Sequence, residues 1–273
     1  MKKFSAATYL GGVIILMFAT AGSASAAALF WAVNQFTTAQ KIDGDTGLVV
    51  DSFALANAAS IAVVGNTGYY TKLFDANVYS VNMTSHMLNG VAFNTGLGNY
   101  MNSITVTSNQ HLWFGHGGSG TDNVLQEFDT AGNLLSTHDF PTASSSYRDG
   151  LVIVGGFAIA NRGDQTGPYD KYAIPGGNAA LSVDTLSFIT AFGGNNGIAF
   201  NGTNYYVSNE QTHIVSKYDV NGVFVSQANL AANSRYENWT FASQDIATVP
   251  EPASLGLVGL GLFALGLSKR KKA

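Results

Sequence analysis

The sequence has no cysteine, only five prolines and only 11% charged residues among its 273 positions. Without cysteine there is no disulfide, no thiolate-bound zinc or iron–sulfur cluster and no thiol nucleophile. The charged fraction is less than half of the about 25% usual in a soluble domain. With 13 Lys and Arg against 17 Asp and Glu, no basic footprint for nucleic acid is present. Also missing between the two ends is any sustained 3.6-residue apolar period with capping residues, so helix is not the main element of the body. Glycine is abundant, with 31 residues, alongside 12 Tyr and 17 Phe.

The two ends read differently from the middle. Met1, Lys2 and Lys3 precede an apolar run over residues 9–19, and Ala24-Ser25-Ala26 follows. A basic start, a short greasy centre and small residues at Ala24 and Ala26 form a secretory signal peptide cleaved after Ala26. At the other end, Pro250-Glu251-Pro252 is followed by an uncharged stretch rich in Leu and Gly over residues 255–267, and then by Lys269, Arg270, Lys271 and Lys272. The stretch is short against the roughly 20 residues that span a bilayer comfortably. The basic cluster holds the extreme C-terminus on the cytoplasmic side during export. The proline pair ends regular structure and offers extended backbone to a peptidase.

This order of motif, apolar helix and basic tail resembles the PEP-CTERM sorting signal of Gram-negative bacteria, with Pro250, Glu251 and Pro252 matching its motif. The resemblance implies recognition by a membrane exosortase after passage through the secretion machinery. It further implies a transient stay in the inner membrane, removal of the tail, and delivery to the cell surface or the exopolysaccharide matrix of a biofilm. It covers about the last 25 residues and is silent on the body. The expected organisation is therefore a signal peptide at 1–26, a body at 27–248 and a sorting signal at 249–273. The two ends hold six of the 13 basic residues and one of the 17 acidic ones, which leaves the body with seven against 16 and a net charge of −9. Such a body repels nucleic acid and anionic lipid and is receptive at most to weakly bound divalent cations. No cofactor is called for.

The middle repeats itself. Residues 197–225 and 103–135 align nearly position for position, each giving four short β-rich runs separated by Asn, Gly and Asp turns. In the step Asp-x-x-Gly, the aspartate bonds the backbone ahead and the glycine takes the left-handed position after a type I turn. Weaker copies begin at Ser60 and at Gly150. Two half-units remain: an outer hairpin over residues 42–50, and inner strands at 239–242 and 245–247. Joined, these make one more unit, with residues 29–53 pairing with 236–248 and both chain ends closing the ring. Turn residues at 43, 82, 129, 184 and 219 recur at a mean spacing of 44. Four strands at that period describe a β-propeller blade. The expected fold is thus all-β, a propeller of about five four-stranded blades flanked by a signal helix and a transmembrane sorting helix. A two-sheet sandwich is the competing architecture. Gly-Ile-Ala at 197–199, Tyr-Val at 206–207 and Tyr-Asp-x-x-Gly at 218–222 resemble NHL-type propeller repeats, a likeness that bears on architecture and not on activity.

Candidate chemistry is sparse. His111 and His116 fall on opposite faces of a strand, and the glycine-rich run at 115–120 lacks both the Lys-Ser/Thr of a phosphate loop and a nucleophile elbow. The run Asp43-Gly44-Asp45-Thr46-Gly47 starts like a calcium loop but lacks its distal glutamate, and so reads as a turn. One pattern stands out. Two residues before the first apolar position of the inner strand stand Asn102, Asp149, Asn196 and Asn238, with Ala59 in the remaining unit. On a propeller this spacing makes a candidate axial binding rim for a cation, glycan or peptide, or else a set of good turn residues. The expected function is an exported surface or matrix protein with a non-enzymatic binding propeller. The alternative is an extracellular polysaccharide hydrolase or lyase. That reaction needs paired carboxylates, for which only Asp149 and Glu237, beside Arg148 and Arg235, are on offer, and no catalytic residue is assigned.

Overall fold

The computed structural model describes residues 27–97, 101–116, 123–141, 150–161, 167–190, 193–232 and 234–241. The signal and sorting helices expected at the two ends, and the domain limits at 26 and 248, lie outside the described residues. The chain opens with β1 (Leu29–Asn34), β2 (Thr38–Asp43) and β3 (Val49–Ala54). Four complete units follow: β4 (Ala58–Val64), β5 (Thr67–Lys72), β6 (Asn77–Asn82) and β7 (Leu88–Asn94); then β8 (Met101–Val106), β9 (Leu112–His116), β10 (Val124–Phe128) and β11 (Leu134–Asp139). The third is β12 (Leu151–Val154), β13 (Phe157–Asn161), β14 (Tyr169–Ala173) and β15 (Ser182–Ile189); the fourth is β16 (Asn195–Phe200), β17 (Tyr205–Asn209), β18 (Ile214–Tyr218) and β19 (Phe224–Asn229). The last strand, β20 (Tyr236–Phe241), returns to pair antiparallel with β1. Five four-stranded antiparallel sheets result. Their inner strands β4, β8, β12, β16 and β20 pack side by side in a closed ring. The molecule is a five-bladed β-propeller, with blade 1 (β20, β1, β2, β3) closed by both ends of the described chain.

Closure differs from the expected division of that blade. Residues 30–34 pair with 236–241 as expected, but among the described residues one strand of the blade comes from the C-terminal side and three from the N-terminal side. The expected inner strand at 245–247 lies outside the described residues, and its place beside β20 is taken by β1. The sequence Leu-Phe-Trp-Ala-Val-Asn of β1 is buried on both faces, so it shows none of the alternation that marks a half-buried strand.

Every blade carries a bulge at the same place, in the pairing of its third and fourth strands. The register slips after Lys41, Ser80, Glu127, Lys171 and Lys217. The bulge follows from the turn chemistry. Asp129 Oδ1 accepts from the backbone N–H of Ala131 and Asn133, and Asp219 Oδ1 from Asn221 and Val223, each at 2.9 Å. Gly132 and Gly222 then take φ of 87° and 77°, the left-handed residue of a hairpin bulge. In blade 2 Asn82 does the same work without charge, accepting from Thr84 and Ser85 at 3.0 and 2.8 Å. The turn residue assigned at Asp184 is a correction: it lies inside β15, the outermost strand of blade 4. The equivalent position is Ala173, at the end of β14, and residues 174–181 replace the short turn with a longer loop.

The core lies between blades, because period-two alternation sends successive side chains of one strand to opposite neighbours. Trp31 and Val33 join Ile61, Val63, Tyr70 and Val81 of blade 2. Phe30 and Ala32, on the other face, join Ala199, Tyr206 and Val215 of blade 5. Three further clusters repeat the arrangement at the remaining junctions. Each fully buried aromatic or branched side chain contributes roughly 1.5–3 kcal/mol relative to exposure, so the five junctions hold the ring closed without covalent help.

Candidate functional site

All five inner strands start at one end of the axis and finish at the other. The starting end carries the loops from second to third strand and from each blade to the next. The finishing end carries the Asp-x-x-Gly hairpins. Asn102 and Asn196 are the second residues of β8 and β16, and Asn238 is the third of β20. The backbone thus sets all three at the starting end. Ala59 holds the matching position in β4 and is buried. Asp149 and Arg148 lie outside the described residues, immediately before Gly150, which leads into β12. Arg235, at the same end, pairs through Nε with Glu210 Oε2 at 2.5 Å. The motif Pro250, Glu251 and Pro252, the tail Lys269, Arg270, Lys271 and Lys272, and the cleavage pair Ala24 and Ala26 also lie outside the described residues.

The finishing end opens into a cavity of about 400 Å³. Its walls include Val106, Val152, Val154 and Phe200, and its edge carries Thr107, Gln110 and Asn201, with no charged side chain among its described lining. Asn201 Oδ1 accepts from Thr203 and Asn204 at 2.9 and 2.8 Å, which fixes that stretch of the edge. The chain leaves β20 at this end on its way to the sorting motif. This mouth has no signature in the sequence, because it is assembled from the last residues of four strands far apart in the chain.

The two histidines have different surroundings. His116 is buried at the end of β9, while His111 Nδ1 meets Glu127 Oε1 at 2.7 Å. Glu127 Oε2 accepts from the Ser136 hydroxyl at 2.9 Å, and His138 Nε2 lies 3.1 Å from the same hydroxyl. This chain of polar groups is not a nucleophile and base waiting for substrate. His138 is 1% exposed, stacks on Trp113 and gives its Nδ1 proton to the carbonyl of Ala179 at 2.8 Å. It locks blade 3 to the long loop of blade 4. The Asp43–Gly47 run is likewise a turn. Asp43 Oδ1 accepts from the Asp45 backbone at 2.9 Å, and Asp45 Oδ1 accepts from Tyr206 and Lys217 of blade 5 at 3.0 and 2.8 Å.

On the starting face, between blades 1 and 2, a second cleft of about 530 Å³ is bounded by Phe36, Asn57, Lys72, Leu73, Phe74 and Asp75. Asp75 is its electrostatic centre. The Tyr79 hydroxyl, the Asn77 backbone and amide, and the nearby Lys72 ammonium outweigh partial burial and hold its carboxyl below the usual carboxylate range. Nothing in the sequence pattern singles these residues out. Their distinction is a backbone conformation, which composition and spacing do not report.

Comparison with known proteins adds two facts. Residues 248–271 match the PEP-CTERM protein-sorting motif, so the chain carries a signal that implies export and processing by an exosortase, with a surface or extracellular destination. No curated protein matches the chain. Among solved structures, a chain of the nidogen/laminin complex superposes with a TM-score of 0.51 at 14% identity, over 80% of this chain and 86% of that one. A protein of unknown function from Bacteroides caccae gives 0.48 at 12% identity, over 78% of this chain and 97% of that one. Hydrazine synthase of Kuenenia stuttgartiensis gives 0.47 at 12% identity, over 74% and 72%. The first of these likenesses supports the fold alone.

Proposed function

We propose that this is an exported protein which an exosortase releases to the cell surface or exopolysaccharide matrix, and that its propeller is a binding module for the polymer it meets there. The observation that carries the reading is the position of the sorting motif. Only residues 242–249 separate the end of β20 from Pro250, a reach of about 26 Å at full extension. The propeller is therefore the cargo that the signal delivers. Its candidate contact is the axial rim of Asn102, Asp149, Asn196 and Asn238, where three amides and one carboxylate suit hydroxyl-rich ligands better than phosphate. The net charge of −9 on residues 27–250, from seven basic and 16 acidic side chains, also turns away anionic partners. The test is passage of the full chain, in detergent, over immobilised exopolysaccharide of the host. Retention with the polymer length unchanged is expected. Shortening of the polymer would move the protein to the hydrolase or lyase class, and free passage would defeat the binding role.

A further inference from the structure

The cleft between blades 1 and 2 is built at a cost in conformational strain. Three of its six bounding residues have left-handed backbone: Phe36 at φ 56°, Asn57 at 61° and Phe74 at 62°. Asparagine tolerates this region, but a bulky side chain is an outlier there and glycine is the strain-free choice. Gln35, at φ 51°, and Phe36 are the two central residues of a turn closed by the Thr37 N–H on the Asn34 carbonyl at 3.1 Å, positions that ordinarily favour Asn-Gly. Phe74 is 61% exposed, so burial of its ring offsets little of that cost. An aromatic ring held toward solvent on a glycine-type backbone costs stability on both counts. Strain of this kind concentrates at ligand-contacting positions.

The polar half of the cleft is equally fixed. Asp75 Oδ1 accepts from the Asn77 backbone and amide at 2.9 and 2.8 Å, and Oδ2 from the Tyr79 hydroxyl at 2.5 Å. Lys72 Nζ sits 3.9 Å above the Tyr79 ring, which stacks on Tyr70 at 5.3 Å. Carboxylate and ammonium are thereby set before any ligand arrives, which lowers the ordering cost of binding. Aromatic faces beside a carboxylate, an amide and an ammonium match a pyranose ring, whose C–H face is apolar and whose neighbouring hydroxyls both donate and accept. An anion would meet Asp75, and a purely apolar ligand would strip water from Asp75 and Lys72 without replacing its hydrogen bonds.

We propose that this cleft binds a neutral pyranose unit of a polysaccharide, stacked on Phe74 and Phe36 and bonded through its hydroxyls to Asp75, Asn57 and Lys72. The assignment rests on the reading of the body as a polysaccharide binder and adds a subsite away from the axis. The test measures binding of cellohexaose, chitohexaose and host exopolysaccharide to the full chain and to F74G, F36G, D75N and F74W. Phe74→Gly should weaken binding by about tenfold, corresponding to a lost aromatic contact near 1.4 kcal/mol, while the melting temperature holds or rises. Phe36→Gly and Asp75→Asn should weaken binding, and Phe74→Trp should retain it. Binding by the wild type that F74G, F36G and D75N all leave unchanged would overturn this subsite while the binding reading stands. A lowered melting temperature in F74G would show Phe74 to be a packing residue and overturn it as well. If neither the oligosaccharides nor the polymer binds the wild type, both readings fall.

Discussion

The hydroxyl of Tyr206 donates to Asp45 Oδ1 at 3.0 Å, across 161 residues of sequence. The bond joins blade 5 to the turn of blade 1, and Lys217 Nζ reaches the same oxygen at 2.8 Å. Asp45 thus fastens the seam at which the ring closes. Truncating it removes an acceptor from a phenol whose residue is buried. The loss of a hydrogen bond to a charged group is worth about 1.5–3 kcal/mol, less here because Asp45 and Lys217 are partly exposed. Asp45→Ala should therefore cost about 1–2 kcal/mol in urea unfolding, and Asp45→Asn less. An unchanged midpoint for Asp45→Ala would show that the seam does not depend on this bond.

Glycine in the turns between third and fourth strands has a second use beyond its positive φ. A Cβ on Gly222 would stand within van der Waals distance of the Phe188 carbonyl in blade 4, and one on Gly47 would meet the Asn229 carbonyl in blade 5. The turns are pressed against the outer strand of the preceding blade, so alanine there is both strained and obstructed. Gly90 and Gly155 also have positive φ but open space around them, and isolate the conformational cost of about 1–2 kcal/mol. Gly222→Ala and Gly47→Ala should each exceed that cost and lower the melting temperature by more than about 4 °C. Equal losses at all four positions would remove close blade contact as the reason for the glycines.

The repeat was legible because its turns are written in residue types. Asp129 with Gly132 and Asp219 with Gly222 name the same bulged hairpin twice, and the strand runs before them follow in phase. Blade 4 was misread where that chemistry is missing. Asp184 looked like a turn residue, yet with Ala173 in its place the spacings become 39, 47, 44 and 46 and the irregularity disappears. The strand β1 was hidden by burial on both faces. Phe36 and Phe74 were invisible for a different reason: a phenylalanine in a loop is unremarkable until its φ is known. The backbone places Asn102, Asn196 and Asn238 on inner strands, while what surrounds the rim is a tertiary property that a spacing of two from an apolar residue does not specify.

Burial also fixes the alkaline limit of stability. Desolvation pushes the phenols of Tyr205, Tyr206 and Tyr236 up to about 12, with Asp45 adding to the rise at Tyr206. The folded state favours the neutral phenol. Its contribution is therefore fully present below the unfolded value of 10.0 and is lost as pH rises through about 12. Urea midpoints should hold to just below pH 10 and then fall steeply. Tyr205→Phe should make that fall shallower, since one late-titrating group is removed. Tyrosinate absorbance should show a late fraction that merges with the ordinary one after unfolding. Complete titration near pH 10 without unfolding would contradict the burial of these hydroxyls.

Sorting and folding are separable by the geometry of the last blade. The strand β20 ends at Phe241, and its pairing with β1 does not involve the residues that match the sorting motif at 248–271. Substituting Glu251 removes the acidic residue between the two prolines, and deleting residues 269–272 removes the basic cluster of the tail. Both variants should fold with the melting temperature of the parent chain. Both should also remain with the inner-membrane fraction when the parent chain is released, because each has lost part of the signal that directs processing. Fractionation of cells followed by detection of the body measures this directly. Normal release of both variants would show that the motif does not direct processing, and a drop in melting temperature would show that the tail packs on the propeller.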